Sequence, residues 1–118
     1  MAAQRAKIES LANQLGQQLT GIPERDLATL QRILKLGLIA PDDTLQLQAL
    51  GVVLGDLFAA ELNMNWIVYR DPAGRSRALQ YGSSEVFLFP VTMISRRWGV
   101  GHQRAVADIF DSNVATTQ

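Results

Sequence analysis

One apolar segment limits the folds that this chain can adopt. Between Thr44 and Leu62 the apolar residues recur at helical spacing and cover more than half of the helix circumference. Such a helix must be buried on several sides, so the rest of the chain has to pack around it. Its most apolar part, residues 49–60, includes Asp56 and is shorter than the roughly 20 apolar residues that span a membrane. We therefore predict a buried core helix.

A line of small residues follows one side of this predicted helix. Gly51, Gly55 and Ala59 are spaced four apart, so they lie on one stripe. Each glycine lowers helix stability by about 1 kcal/mol relative to alanine, and a closely approaching neighbour explains why it is there. In a membrane such a line favours helix dimerisation. In this chain we predict close packing of the helix on a sheet.

The N-terminal part of the sequence predicts two further helices. Apolar residues recur at steps of three and four through residues 8–22, which predicts one amphipathic helix. Pro23 is suited to the first turn of the next helix, which we place at residues 23–36. Asp43 and Gln46 have the spacing of a capping box, so the core helix has a well-defined start.

Three strands are predicted after the core helix. Trp66–Tyr69 is β-branched and aromatic, Ser76–Tyr81 is more polar, and Glu85–Phe89 is apolar on both faces. Turn signals at 71–74 and 82–84 leave only short connections between them. Because short connections join neighbouring antiparallel strands, we predict a three-stranded antiparallel meander with the core helix on one face.

The C-terminal residues predict one or two short helices, at 92–98 and 103–110. The predicted fold class is therefore α+β, with three N-terminal helices followed by the meander and these short helices. At 118 residues the chain fits a single domain. We divide it into a helical N-terminal extension at 1–43, an α+β core at 44–112 and a frayed tail at 113–118.

Composition excludes several classes of function. Eleven Lys and Arg residues balance eleven Asp and Glu residues, which argues against a dedicated binder of nucleic acid. The absence of cysteine excludes thiolate metal sites and cysteine nucleophiles, and a single histidine excludes multi-histidine metal sites. Residues 1–13 carry charges and no continuous apolar stretch, so we predict no signal peptide, no membrane association and a cytoplasmic location. No cofactor or metal is predicted.

One stretch of the sequence resembles a known family. The matching features are Leu50–Asp56 on a helix, a strand centred on Trp66, a turn containing Gly74, and Phe89–Arg97. Over residues 50–110 the chain is similar to the bacterial domain of unknown function 3806. The resemblance implies a bacterial source and an α+β module, and it brings with it no activity and no catalytic residues.

Two titratable residues are candidates for chemistry. Asp56 lies in an otherwise apolar stretch, and a buried carboxylate costs several kcal/mol unless it is paired. We expect it to pair with Arg96 or Arg97, and a ligand-facing role is the alternative. His102 has no nucleophile-elbow pattern around a nearby serine, so we interpret it as an exposed loop residue rather than a catalytic one.

Arginines cluster in the second half of the chain. One cluster surrounds the predicted hairpin and the other follows it: Arg70, Arg75 and Arg77, then Arg96, Arg97 and Arg104. On one concave surface they would grip a phosphate or a carboxylate, for which the arginine fork is suited. The alternative is that they are solvated edges that discourage strand aggregation. Trp98 and Tyr81 are the aromatic residues that we expect to make surface contacts.

These observations favour a non-enzymatic bacterial protein-interaction module. One version is an immunity or adaptor protein that occludes a partner such as a toxin or effector. The predicted partner-binding residues are Arg70, Arg75, Arg77, Arg96, Arg97 and Trp98. The alternative is a binding protein for a small anionic ligand, or a small enzyme, that uses Asp56 and Arg97. A homodimer formed through the edge strand or the first helix is also open.

Overall fold

The computed structural model describes residues 1–98 and 105–117. Three helices precede one small sheet along the chain, and further helices follow it. In order, the elements are α1 (Ala2–Gln14), α2 (Pro23–Lys35), α3 (Thr44–Leu62), β1 (Asn65–Asp71), β2 (Gly74–Gln80), β3 (Phe87–Leu88), a 3₁₀ turn (Pro90–Thr92), α4 (Met93–Trp98) and α5 (Val106–Thr117). The predicted α+β class and element order are confirmed.

Helix α3 is the centre of the molecule. Its N-cap is Asp43, whose Oδ1 accepts a hydrogen bond from the backbone N–H of Gln46 at 3.2 Å. Its C-cap is Asn63, which adopts the left-handed conformation with φ 54°. By length and composition α3 is able to cross a membrane, yet 61% of its apolar window is buried inside the fold. The prediction of a core helix with these boundaries is confirmed.

Two glycines of α3 let other parts of the chain approach its backbone. A Cβ at Gly51 would lie 2.7 Å from the carbonyl oxygen of Pro90 and closer still to that of Val91. A Cβ at Gly55 would lie inside contact distance of the Trp66 ring and 2.8 Å from Cγ of Pro90. The neighbours of the small-residue line are therefore the 3₁₀ turn and one side chain of the sheet.

The sheet has the strand order β1-β2-β3 and is antiparallel throughout. Trp66 lies opposite Leu79, and Leu79 lies opposite Leu88, so these three share the face that packs into the core. Tyr69 is on the other face, with ring centroids 5.1 Å from Phe87 and 5.2 Å from Phe89. This second face carries an aromatic cluster at the molecular surface.

The first helix is shorter than the periodicity predicts. It ends at Gln14, and Gly16 follows with φ 72°. The N–H of Gly16 donates to the carbonyl of Asn13, and the N–H of Gln17 donates to that of Ala12, which is a Schellman motif. Residues 15–22 are therefore a loop, and the prediction of a continuous helix to residue 22 is wrong.

Two predicted boundaries also differ near the C-terminus. Strand β3 contains only Phe87 and Leu88, because the preceding residues form a turn closed by the Tyr81 N–H to Val86 carbonyl bond. Residues 113–117, predicted to fray, are helical and belong to α5. His102 and the predicted start of the last helix at residue 103 lie outside the described residues.

Residues 1–43, predicted to be an N-terminal extension, share one hydrophobic core with the α+β part of the chain. Ile8 of α1 and Leu30 and Ile33 of α2 are fully buried in the same cluster as Phe58 of α3. Phe110 of α5 stacks on Phe58 with ring centroids 4.9 Å apart. Residues 1–43 are thus packed onto one hydrophobic core with the α+β part.

Candidate functional site

A groove of about 790 Å³ collects three of the predicted arginines. We call it the arginine groove. It lies where the N-terminal end of α1 and the first half of α3 meet the β1–β2 hairpin, the 3₁₀ turn and α4. Its lining residues are Gln4, Gln48, Asp71, Arg75, Ser76, Arg77, Phe89, Val91, Thr92 and Arg96.

Local structure places each arginine of this groove. Arg75 and Arg77 are two apart on β2, so their side chains leave the same face of the sheet. Arg77 Nη1 donates to Gln4 Oε1 of α1 at 3.3 Å. Arg96 lines the groove from α4 and is exposed. Residues distant in the sequence are thus brought to one concave surface.

The lining of the arginine groove is electrically unbalanced. Asp71 is its sole acidic residue, against Arg75, Arg77 and Arg96. The Asp71 carboxylate already accepts a hydrogen bond from the Ala73 N–H at 2.9 Å in the hairpin turn. Within residues 1–98 and 105–117 none of the three arginines forms an ion pair. The groove therefore presents a surplus of two positive charges.

Three further predicted residues lie outside the lining of this groove. Arg70 is exposed on β1, directly opposite Arg75. Arg97 is half-buried, and its Nη1 donates to the Met93 carbonyl at 2.6 Å. Trp98 is only 7% exposed and belongs to the core cluster, so the prediction that it is a surface contact is wrong. Tyr81, by contrast, is 52% exposed.

Asp56 is paired, but with a different arginine from those predicted. Its Oδ2 lies 2.7 Å from Nη1 of Arg5, and its Oδ1 accepts a hydrogen bond from Nε1 of Trp66 at 2.9 Å. Arg5 also reaches Glu9 on the same helix at 3.1 Å. The sequence did not indicate Arg5, because α1 precedes α3 by a long stretch of chain. Only the tertiary packing of α1 on α3 brings Arg5 to Asp56.

Each carboxylate oxygen of Asp56 thus has one partner within the fold. The arrangement ties α1, α3 and β1 together at one point. Asp56 thus has a structural position in the fold.

A second groove, of about 870 Å³, was missed by the sequence analysis. It lies between the end of α1, the loop that follows it and α2, and we call it the α1–α2 groove. Its lining residues are Asn13, Gly16, Gln17, Gln18, Thr20, Arg25, Ala28, Thr29 and Arg32. The available signal was the spacing of seven between Arg25 and Arg32, which places both on one face of a helix.

The loop beside this second groove is held by a buried carboxylate. Asp26 is 1% exposed and accepts hydrogen bonds from the Thr20 N–H at 2.8 Å, the Thr20 hydroxyl at 2.9 Å and the Gly21 N–H at 2.8 Å. Buried charges require such partners.

The described part of the chain contains no group of three or more His, Cys, Asp or Glu residues that could hold a metal ion.

Comparisons with known proteins identify a family and a fold. The sequence model of the family described as "Domain of unknown function (DUF3806)" matches residues 26–110, which is more than half of the chain. No curated protein matches. A crystal structure from Bacteroides thetaiotaomicron VPI-5482 matches with a TM-score of 0.84 and 20% identity, over 96% of this chain and 42% of that one. The chain thus spans less than half the length of that protein, and at this identity the likeness shows the fold alone.

Proposed function

The chain belongs to the DUF3806 family, and we propose that it is a non-enzymatic binding module whose arginine groove receives an acidic segment of a protein partner. One observation supports this proposal above the others. Arg75, Arg77 and Arg96 line one concave surface without forming an ion pair in the described part of the chain. Such guanidinium groups are available to bind carboxylates in two-pronged geometry.

Aromatic side chains beside the groove favour a polypeptide as the ligand. Phe89 lines the groove and is 40% exposed, and its ring packs edge-on against Tyr69, which also contacts Phe87. Protein interfaces are enriched in arginine and aromatic residues, which combine charge with apolar contact area. An acidic segment with an apolar residue beside its carboxylates would match both features.

The walls of the arginine groove are anchored to the core. Pro90 is buried, and the backbone of the 3₁₀ turn packs against Gly51 of α3. Ile94 of α4 is fully buried and fixes the helix that carries Arg96. A surface that is ordered before binding loses less conformational entropy when the partner arrives. This rigidity supports binding in the existing conformation.

The alternative function, an anionic-ligand protein or enzyme built on Asp56 and Arg97, has less support. Asp56 is engaged by Arg5 and Trp66, and Arg97 is bonded to the Met93 carbonyl. Neither residue lines the arginine groove. An immunity or adaptor protein, acting in the cytoplasm on a toxin or effector, is the finer version of the proposal that we favour.

The test uses a fluorescein-labelled library of peptides rich in Glu and Phe, with a matched library in which Lys replaces Glu. We expect the acidic library to bind the native protein in anisotropy titrations and the basic library not to bind. The triple variant R75Q/R77Q/R96Q should lose this binding. The matched control is R70Q, which removes an exposed arginine from the same hairpin but outside the groove.

The same variants also test whether a natural protein partner binds at the arginine groove. A protein captured by the native chain and by R70Q, but lost with the triple variant, supports the arginine groove as the contact surface. Equal binding of the acidic and basic libraries, or full binding by the triple variant, contradicts it. A circular dichroism spectrum of each variant confirms that the fold is retained.

A further inference from the structure

We propose that the α1–α2 groove is a separate binding site for an elongated, hydroxylated organic dianion of the sugar diacid class. This inference is independent of the arginine groove, with which it shares no lining residue. It rests on the charges of one wall, the amides of the other, and the way in which the loop that carries two of these amides is fixed.

The cationic wall of this groove is α2. Arg25 and Arg32 are exposed and line it together with Ala28 and Thr29. A spacing of seven residues is nearly two helical turns, so the two Cα atoms are about 10 Å apart along one face of the helix. Neither arginine forms an ion pair within the described residues, and no Asp or Glu lines the groove. The wall thus has a positive group towards each end.

The opposite wall consists of uncharged polar groups. Asn13, Gln17 and Gln18 line it, and each amide offers both donors and an acceptor. Thr20 also lines the groove, but its hydroxyl donates to Asp26 and accepts from the Ile22 N–H. The three amides are therefore the groups left to contact hydroxyls along the middle of a ligand.

Two of the three amides, those of Gln17 and Gln18, stand on a loop that is fixed at both ends. The Schellman motif at Gly16 and Gln17 attaches its start to α1. The three hydrogen bonds to Asp26 attach Thr20 and Gly21 to α2. A loop fixed in this way holds its side chains near their binding positions, which reduces the entropy lost on binding.

The separation of the two arginines selects the shape of the ligand. A compact anion would neutralise one guanidinium and leave the other without a partner. A ligand with a carboxylate at each end can pair with both through charge-assisted hydrogen bonds. The volume of about 870 Å³ is within the range of small-molecule sites. Hydroxyl groups between the two carboxylates would then face the amides.

Isothermal titration calorimetry with two matched pairs of probes tests this site. Glucarate is compared with gluconate, and adipate with hexanoate, so that each pair differs in the second carboxylate. We expect glucarate to bind about tenfold more tightly than gluconate, and more tightly than adipate. R25Q and R32Q should each lower the affinity for glucarate to that for gluconate.

The control variants separate this site from the arginine groove. R75Q/R77Q/R96Q and R70Q should bind glucarate like the native protein, whatever becomes of partner binding at the arginine groove. Loss of glucarate binding in the triple variant but not in R25Q or R32Q would overturn the proposal. Equal affinities for glucarate and gluconate, or no heat of binding for any probe at millimolar concentration, would overturn it as well.

Discussion

Arg5 and Asp56 form a 2.7 Å ion pair that joins α1 to α3 across 51 positions of sequence. Trp66 completes the arrangement from β1 by donating its indole N–H to the second oxygen of the carboxylate. Three elements thus meet at one side chain on the central helix. Because the two charged side chains are 31% and 35% exposed, water screens the pair, and its contribution is smaller than that of a fully buried one.

Replacing Asp56 should destabilise the fold by removing both contacts. We expect Asp56→Ala to lower the free energy of unfolding by about 1–2 kcal/mol, because the indole N–H and the guanidinium lose their acceptor. Asp56→Asn should cost less, since an amide oxygen can still accept from Trp66. Urea denaturation measures both variants. Glu61→Ala, an exposed site on the same helix, is the control and should change stability by less than about 0.5 kcal/mol.

The ion pair itself can be isolated with a double-mutant cycle. Arg5→Ala and Asp56→Ala, singly and together, should give a coupling energy of about 0.5–1 kcal/mol that decreases in high salt. Strictly additive effects would mean that the pair makes no contribution beyond its separate side chains.

The glycines of α3 should resist replacement by alanine. Helix propensity alone favours Gly51→Ala by about 1 kcal/mol. The added Cβ, however, would collide with the backbone carbonyls of Pro90 and Val91, which cannot rotate away as a side chain can. We expect a net loss of about 1–3 kcal/mol, measured by thermal or urea unfolding. A stabilised Gly51→Ala variant would show that the 3₁₀ turn packs less closely than the structure indicates.

Asp26 should be required for the order of the loop between α1 and α2. Asp26→Ala leaves three donors of Thr20 and Gly21 without their acceptor and should cost about 2 kcal/mol or more. Hydrogen exchange at the Thr20 and Gly21 amides should become faster, because both amides lose protection. Asp42→Ala, an exposed carboxylate in the next connection, serves as the control. Unchanged exchange at both amides would contradict the role of Asp26.

Local signals were sufficient to locate α3 but not the end of α1. The cap at Asp43 and the apolar pattern up to Leu62 depend on residues that are close together in the sequence, so both boundaries of α3 could be predicted. In α1 the apolar spacing continues past Gly16, so periodicity alone predicts that the helix continues as well. The left-handed conformation of Gly16 and the carbonyl bonds that it permits end the helix, and afterwards Leu19 reaches the core from a loop.

The candidate sites depend on tertiary contacts that the sequence does not display. The pattern indicated that Asp56 needs a cationic partner, but the docking of α1 on α3 determines that this partner is Arg5. Clustering in the sequence indicated the arginines of the hairpin and of α4 together, and the fold determines that Arg75, Arg77 and Arg96 are the ones that line the arginine groove. The prediction that Trp98 makes surface contacts rested on its position at the end of a short helix, whereas packing places it in the core.

The pair Arg70 and Arg75 yields a prediction that separates folding from binding. They lie directly opposite each other on β1 and β2, and like charges in that position destabilise a sheet. We expect Arg70→Glu to stabilise the protein by about 0.2–1 kcal/mol in low salt, and the gain to shrink as salt screens the charges. Thermal unfolding at two salt concentrations measures this effect. Arg75→Glu should stabilise the hairpin equally but abolish binding of acidic peptides, because it reverses a charge inside the arginine groove. Peptide binding by Arg75→Glu as tight as that by the native protein would mean that Arg75 has no part in recognition.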